Sequence, residues 1–290
     1  MFQQWKVVTV TPSGRKDSLR ILIRYLLRNR HVIDHHEFWL NTVNQDDIKY
    51  IYSVQRKYPD FFSIVLPKIP PLNPARTKGC PYSLSIHQFF EHCTDADTIY
   101  IRIDDDVCFF SNKAFDELLK FRVENKHYFI VYPFIINNSM NYLPELFKQI
   151  FMPLGHDLPK SLNRGRLDLD YLGSAELARD RHNDLLSNLS KLKLFEFERI
   201  ETTDHMNINV ICWFGYEFKK FDGRVQNLPE WNEGEEAWLA TKKPKSLGMV
   251  NAICGKSLAA HLTFGDQRKD DARLLDKLVN RYTNLLVKIL

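Results

Sequence analysis

Glycine is scarce in this chain, with 11 in 290 residues, and only Gly14 falls in the segment Thr11–Lys16 after the first β-branched run. A glycine-rich phosphate loop at that place is therefore missing. The five cysteines, Cys80, Cys93, Cys108, Cys212 and Cys254, are odd in number and form no CxxC pair. That argues against a disulfide framework or a zinc site and for core thiols in a reducing compartment. Long apolar runs are lacking too: the longest, Tyr128–Ile136, is interrupted by Pro133 and is too short to span a bilayer. Val7–Val10 is too short for the apolar centre of a signal peptide. The expectation is a cytoplasmic protein with no transmembrane segment. Neither charge predominates, since 40 Lys and Arg stand against 36 Asp and Glu, a formal net charge of +4. This balance speaks against a nucleic-acid partner and leaves anionic small substrates open. Repeats and low-complexity segments are absent. With 44% hydrophobic and 26% charged residues, the chain has the composition of one large globular domain.

What the sequence does contain is a strand running straight into three carboxylates. Ile99, Tyr100, Ile101 and Ile103 have the β-branched and aromatic content of a buried strand, and Asp104, Asp105 and Asp106 follow at its C-terminal end. In open α/β sheets, ligands bind at that end. Three adjacent anions repel one another, so the site calls for a compensating cation. Clustered hard oxygen ligands suit magnesium or manganese, which in turn suit phosphate oxygens. The competing reading is a solvated turn, but a turn needs one Asp rather than three.

The first 110 residues alternate strand and helix signals. Lys6–Val10 is predicted as a strand broken by Thr11-Pro12-Ser13-Gly14, and the next helix carries Leu19, Leu22, Ile23, Leu26 and Leu27 on one face. Glu37–Leu40 is a second strand, Asn44 caps a helix over Gln45–Arg56, and Phe61–Leu66 is a third strand. The five prolines of Pro67–Pro81 mark a loop, and Ser83–His92 a helix leading to the Asp-bearing strand. This order predicts a parallel sheet with helices on both faces. Beyond it come a helix Asn112–Glu124 capped by Ser111, a strand His127–Ile136 and a polar, helix-rich insertion at about 139–206. Asn209–Tyr216 is a strand, Glu233–Ala240 a helix and Met249–Cys254 a strand. The tail 270–290 is an amphipathic helix with Leu274, Leu275, Leu278, Tyr282 and Leu285 on its apolar face, which is expected to dock on its own domain.

These features together resemble the GT-A-fold glycosyltransferases. The likeness rests on the Thr-Pro-Ser first loop, on Ile103-Asp104-Asp105-Asp106 as a DxD motif, and on two later segments. Trp231-Asn232-Glu233-Gly234-Glu235-Glu236-Ala237-Trp238-Leu239 is similar to the acidic helix start that supplies the base in inverting members. Ala260-His261-Leu262-Thr263-Phe264 is similar to the histidine segment that completes the metal shell in several members. The resemblance implies an α/β, Rossmann-like, mostly parallel sheet flanked by helices, in one domain over residues 1–290. Residues 1–110 would form the nucleotide-sugar-binding half and 111–290 the acceptor-binding half. It further implies transfer of a sugar from a nucleotide diphosphate donor, a UDP-sugar by preference, to a glycan or glycoconjugate acceptor. Bacterial surface-polysaccharide enzymes and virus-encoded enzymes share this anchor-free organisation.

By that resemblance, Asp106 coordinates a manganese or magnesium ion directly and Asp104 contacts the ribose or the metal. Asp105, the middle position, is free to pair with a basic residue, and His261 is the third metal ligand. Glu236 is the expected base and Glu235 the acceptor-sugar contact, with the two roles interchangeable. The competing structural reading of these glutamates is that of acids favoured in a first helical turn. Thr11, Pro12 and Ser13 are expected to meet the nucleotide base, with Arg15 near the phosphates at a helix start. Asn41 and Thr42 stand where the family often has an acidic contact, a departure that leaves the base open. Arg76 and Lys78 are candidates for the base or diphosphate, and Arg268 for a bidentate phosphate contact. Two other functions compete: nucleotidyl transfer, disfavoured by the single glycine in Thr11–Lys16, and a catalytically inactive carbohydrate-binding scaffold, disfavoured by the intact carboxylate set.

Overall fold

The computed structural model describes residues 1–68, 88–159, 173–220 and 234–289. The first strands and helices follow one another as β1 (Lys6–Ser13), α1 (Lys16–Arg28), β2 (His35–Leu40), α2 (Gln45–Lys57) and β3 (Phe62–Val65). Next come α3 (Gln88–His92), β4 (Thr98–Ile103), β5 (Val107–Phe110), α4 (Ala114–Glu124) and β6 (Val131–Ile136). A 3₁₀ turn at Ser139–Tyr142 leads into α5 (Pro144–Leu146), then α6 (Ala175–Ser187) and β7 (Arg199–Thr202). The chain continues through β8 (Val210–Phe214), α7 (Gly215–Lys220), α8 (Gly234–Ala237) and α9 (Lys243–Ser246). It ends with β9 (Asn251–His261), α10 (Gly265–Asp270) and α11 (Leu274–Ile289).

The strands form one sheet in the order β3-β2-β1-β4-β8-β6-β9-β5, with β7 also on β9. The block β3-β2-β1-β4 is wholly parallel, as the alternating strand and helix pattern predicts. β8 then enters antiparallel to β4, and β6 lies parallel to β9. This is a Rossmann-like α/β architecture. Its central strands are buried on both faces, which explains their near-continuous apolar sequences: β4 and β8 have no exposed residue. Helix α1 packs on β5 and α11, and α11 buries Leu274, Leu278, Tyr282 and Leu286. The tail therefore docks on its own domain, with Leu286 on the buried face and Leu275 and Leu285 at its margin.

Several boundaries differ from the sequence expectations for identifiable reasons. Thr11, Pro12 and Ser13 do not break β1; they continue it, paired with Phe38, Trp39 and Leu40 of β2. The break comes at Gly14, where an added Cβ would lie 2.6 Å from the Asn41 carbonyl oxygen. Asn44 does cap α2, accepting from the Asp46 amide at 2.8 Å. Ser111 does not cap α4, which begins at Ala114 without a side-chain cap. Strand β9 runs to His261 instead of ending at Cys254, because β7 and β5 each pair with a different stretch of it. Pro133 is tolerated inside β6 beside a bulge: Pro133 pairs with Cys254 and Phe134 with Leu258, so Gly255, Lys256 and Ser257 are extra on β9. Gly255 is required there, since a Cβ would sit 2.2 Å from the Phe197 carbonyl oxygen. Of the expected helix Ser83–His92, residues 88–92 form α3, while residues 83–87 and the part of the proline-rich loop with Arg76 and Lys78 lie outside the described residues.

Candidate active site

Strand pairing brings the charged residues together. β4 delivers Asp104, Asp105 and Asp106 at its C-terminal end, and the chain turns at once into β5. β5 pairs antiparallel with β9, setting Val107 opposite His261, and the Leu262 amide donates to the Asp106 carbonyl at 2.9 Å. That ladder places the His261 ring against Asp106, with Nε2 3.2 Å from Oδ1. On the other side, β4 pairs with β8, and the Asp104 amide donates to the Asn209 carbonyl at 2.8 Å. The Asn209 side chain then donates to Asp104 Oδ2 at 3.0 Å.

The three aspartates have different partners. Asp105 is a staple for the β1–α1 loop: its Oδ2 accepts from the amides of Gly14 at 2.8 Å and Arg15 at 2.9 Å, and its Oδ1 accepts from Arg15 Nε at 2.7 Å. The basic partner expected for the middle aspartate is thus Arg15. The same guanidinium reaches Asp106 Oδ2 at 2.6 Å, and Arg268 Nη1 stands 3.8 Å from that oxygen while holding the Thr263 carbonyl at 2.7 Å. Asp104 faces Arg102, whose Nη2 is 2.9 Å from Oδ1. Burial pushes the Asp104 and Asp105 carboxyls up, against the opposing pull of Arg102 and Arg15 respectively. For Asp106 burial acts in the same direction, but Arg15 and His261 outweigh it and hold the carboxyl well below its ordinary value.

Asp104, Asp106 and His261 each offer a ligand atom, and these atoms lie within 4.8 Å of one another. Opposite ligands of a magnesium-sized ion are separated by about 4.2 Å, so small side-chain rotations suffice. Asp104 Oδ1 and Asp106 Oδ1 are buried and meet Arg102 Nη2 and His261 Nε2, contacts whose place a cation would take, and His261 Nδ1 is buried without a hydrogen bond. Two hard carboxylate oxygens and an imidazole nitrogen suit manganese or magnesium. The residues present therefore fit a divalent ion.

A second pair of carboxylates lies across Arg102. Glu235 Oε1 is 3.6 Å from Arg102 Nη2, the nitrogen that also meets Asp104. Burial, opposed by Arg102 and reinforced by Asp104 and Glu236, pushes the Glu235 carboxyl up to about 7. Glu236 is anchored instead: its Oε1 accepts from Asn207 at 2.7 Å and meets His205 Nε2 at 3.1 Å, and its Oε2 is 3.5 Å from the Ile208 amide. The His205 imidazole is raised by this hydrogen bond.

The remaining candidates are spread more widely. Thr11, Pro12 and Ser13 are buried within β1, and the Ser13 hydroxyl donates to the Thr11 carbonyl at 2.9 Å. Asn41 lies against them, its amide donating to the Ser13 carbonyl at 2.8 Å. Arg76 and Lys78 fall outside the described residues. Arg102, Asn209, Asn207 and His205 were missed from the sequence. Arg102 alone left a signal, as the one charge inside the apolar strand Thr98–Ile103.

No protein-family model matches the sequence, and no curated protein matches it. Among solved structures, the chain is similar to a CMP:2-keto-3-deoxy-manno-octonic acid synthetase complexed with CTP. The likeness spans 99% of this chain and 100% of that one, at 7% identity and a TM-score of 0.46. A mycobacterial protein aligns over 95% of this chain and 75% of its own, at 12% identity and a TM-score of 0.45. At these levels neither likeness bears on function.

Proposed function

We propose that this chain is a metal-dependent glycosyltransferase that moves a sugar from a nucleotide diphosphate donor, a UDP-sugar by preference, to a hydroxyl of a glycan or glycoconjugate. The observation that carries this reading is the meeting, at the end of β4, of the group Asp104, Asp106 and His261 with Glu235 through Arg102. A bound manganese or magnesium ion would neutralise the diphosphate leaving group as its charge develops. Asp104, Asp106 and His261 would hold that ion. Arg15 and Arg268, which converge on Asp106, would clamp phosphate oxygens. The donor half is 1–110 and the acceptor half 111–290, in one domain.

The acceptor hydroxyl must lose a proton as it attacks, and a carboxylate beside it takes that proton. The environments of the two glutamates differ in kind. Glu236 is tied down by hydrogen-bond donors, while Glu235 carries a raised carboxyl suited to accepting a proton near neutral pH. The geometry therefore favours Glu235 as the base and Glu236 as its neighbouring anchor, the exchange of roles that the sequence left open. Direct displacement of this kind inverts the anomeric centre.

A second reading, nucleotidyl transfer, is favoured by one feature. Two guanidinium groups, Arg15 and Arg268, approach Asp106, and that much positive charge also suits a triphosphate. Incubation with a panel of nucleotide sugars and nucleoside triphosphates in manganese separates the two. Glycosyl transfer or donor hydrolysis releases a nucleoside diphosphate; nucleotidyl transfer releases pyrophosphate. Pyrophosphate release alone would overturn the first reading.

A further inference from the structure

Strand β6 is followed directly by two adjacent asparagines, Asn137 and Asn138, both completely buried. Asn137 has φ of 59°, in the left-handed region that asparagine tolerates better than most residues. Its side chain exchanges two hydrogen bonds with Gln267, at 3.0 and 2.9 Å, and donates to the Leu262 carbonyl at 3.0 Å, directly behind His261. Asn138 points the other way. Its Nδ2 donates to Asn209 Oδ1 at 2.7 Å and to the Asn207 carbonyl at 3.0 Å. Asn209 passes the chain on by donating to Asp104 Oδ2 at 3.0 Å.

An amide chain of this kind has a direction. Because Asn138 donates to the Asn209 oxygen, the Asn209 nitrogen is left to face Asp104. If Asn209 turned over, its oxygen would face the carboxylate instead and the two would repel. The donor end of Asn138 therefore fixes which atom reaches Asp104 Oδ2, and with it the rotation of the carboxylate. The other oxygen, Oδ1, faces Arg102 Nη2 at 2.9 Å. Buried networks of this sort specify one geometry only when every member is satisfied.

We propose that Asn138 is a positioning residue of the metal site: through Asn209 it sets the orientation of Asp104 and so the affinity for a divalent cation. This inference rests on the reading of Asp104, Asp106 and His261 as metal ligands. The oxygen end of Asn138 does separate work, accepting from the Met140 amide at 3.0 Å to cap the 3₁₀ turn. Asn138→Asp keeps that capping oxygen and replaces the donor with a carboxylate oxygen. Asn138→Ser also retains a capping oxygen, adds no buried charge and cannot reach Asn209.

The test is manganese binding by the full-length protein, followed by electron paramagnetic resonance of the free ion, with no nucleotide present. Losing a hydrogen-bond partner behind a metal ligand weakens binding by roughly 10–100-fold, and that loss is expected in both variants. Ser257→Ala serves as the control for simple destabilisation, because it removes a buried hydrogen bond to the Ala114 carbonyl that is not part of this network. Its affinity is expected to stay within about twofold of the parent. Both Asn138 variants binding manganese as the parent does would overturn the inference, as would an equal loss in Ser257→Ala. A parent protein that binds no manganese would overturn the metal site itself, a separate and earlier failure.

Discussion

Asp104 and Glu235 share one cation: Arg102 Nη2 lies 2.9 Å from the first and 3.6 Å from the second. Arg102 is itself buried in β4 and is fixed by Nη1, which donates to the Ile208 carbonyl at 2.6 Å. Removing it leaves two carboxylates facing each other without a counter-charge. Arg102→Met is expected to destabilise the protein by about 3–5 kcal/mol at pH 8, measured by urea denaturation. The loss should be smaller at pH 5, where Glu235 is protonated. Arg102→Lys restores charge without the planar fork and should recover only part of the stability.

Glu235 carries a pH dependence of its own. Its carboxyl is raised from an ordinary 4.5 to about 7, so the folded state holds a proton that the unfolded state releases. Stability from this group is fully present below about pH 4.5 and declines as pH rises to about 7. Glu235→Gln should remove that decline, making the variant more stable than the parent at pH 8 and little different at pH 4.5. Paired denaturation curves at the two pH values check the sign.

The same substitution bears on chemistry. A general base contributes about 10²–10⁴-fold, so Glu235→Gln should keep donor binding and lose turnover on that scale. Glu236→Gln should perturb the acceptor side less severely. Turnover of a UDP-sugar with product configuration read by NMR tests both points. Retention of configuration would remove the need for either base.

Asp105 and Asp106 should separate cleanly. Asp105 serves the Gly14 and Arg15 amides, so Asp105→Asn is expected to cost about 1.5–3 kcal/mol of stability while sparing manganese binding. Asp106→Asn should abolish manganese binding. Calorimetric titration of the two variants distinguishes a loop staple from a metal ligand.

The parallel half of the sheet and the acidic cluster were legible in the sequence because both are local. Hydrophobic runs and the cap at Asn44 mark β1, α1, β2 and α2, and Asp104–Asp106 follow a strand directly. What was not legible depends on antiparallel pairing between distant segments. Val107 meets His261, and Asp104 meets Asn209, across more than a hundred residues, and nothing in either segment specifies its partner. β5 is only four residues long and follows the aspartates at once, too short a run to stand out as a separate strand. The division of labour between Glu235 and Glu236 likewise depends on Arg102, Asn207 and His205, contributed by other parts of the chain. Of these partners, only Arg102 left a sequence signal, as a charge inside an apolar strand.

The central claim is most directly tested by thermal unfolding with UDP, with manganese and with both, in the parent protein and in Asp106→Ala. The expected result is that UDP protects only when manganese is present, adding about 2.7 kcal/mol to any shift from manganese alone when nucleotide is near 100 times its dissociation constant, and that neither protects Asp106→Ala. Equal protection by UDP in excess chelator, or none with any nucleoside diphosphate and manganese, would contradict a metal-dependent nucleotide-sugar site at Asp104, Asp106 and His261.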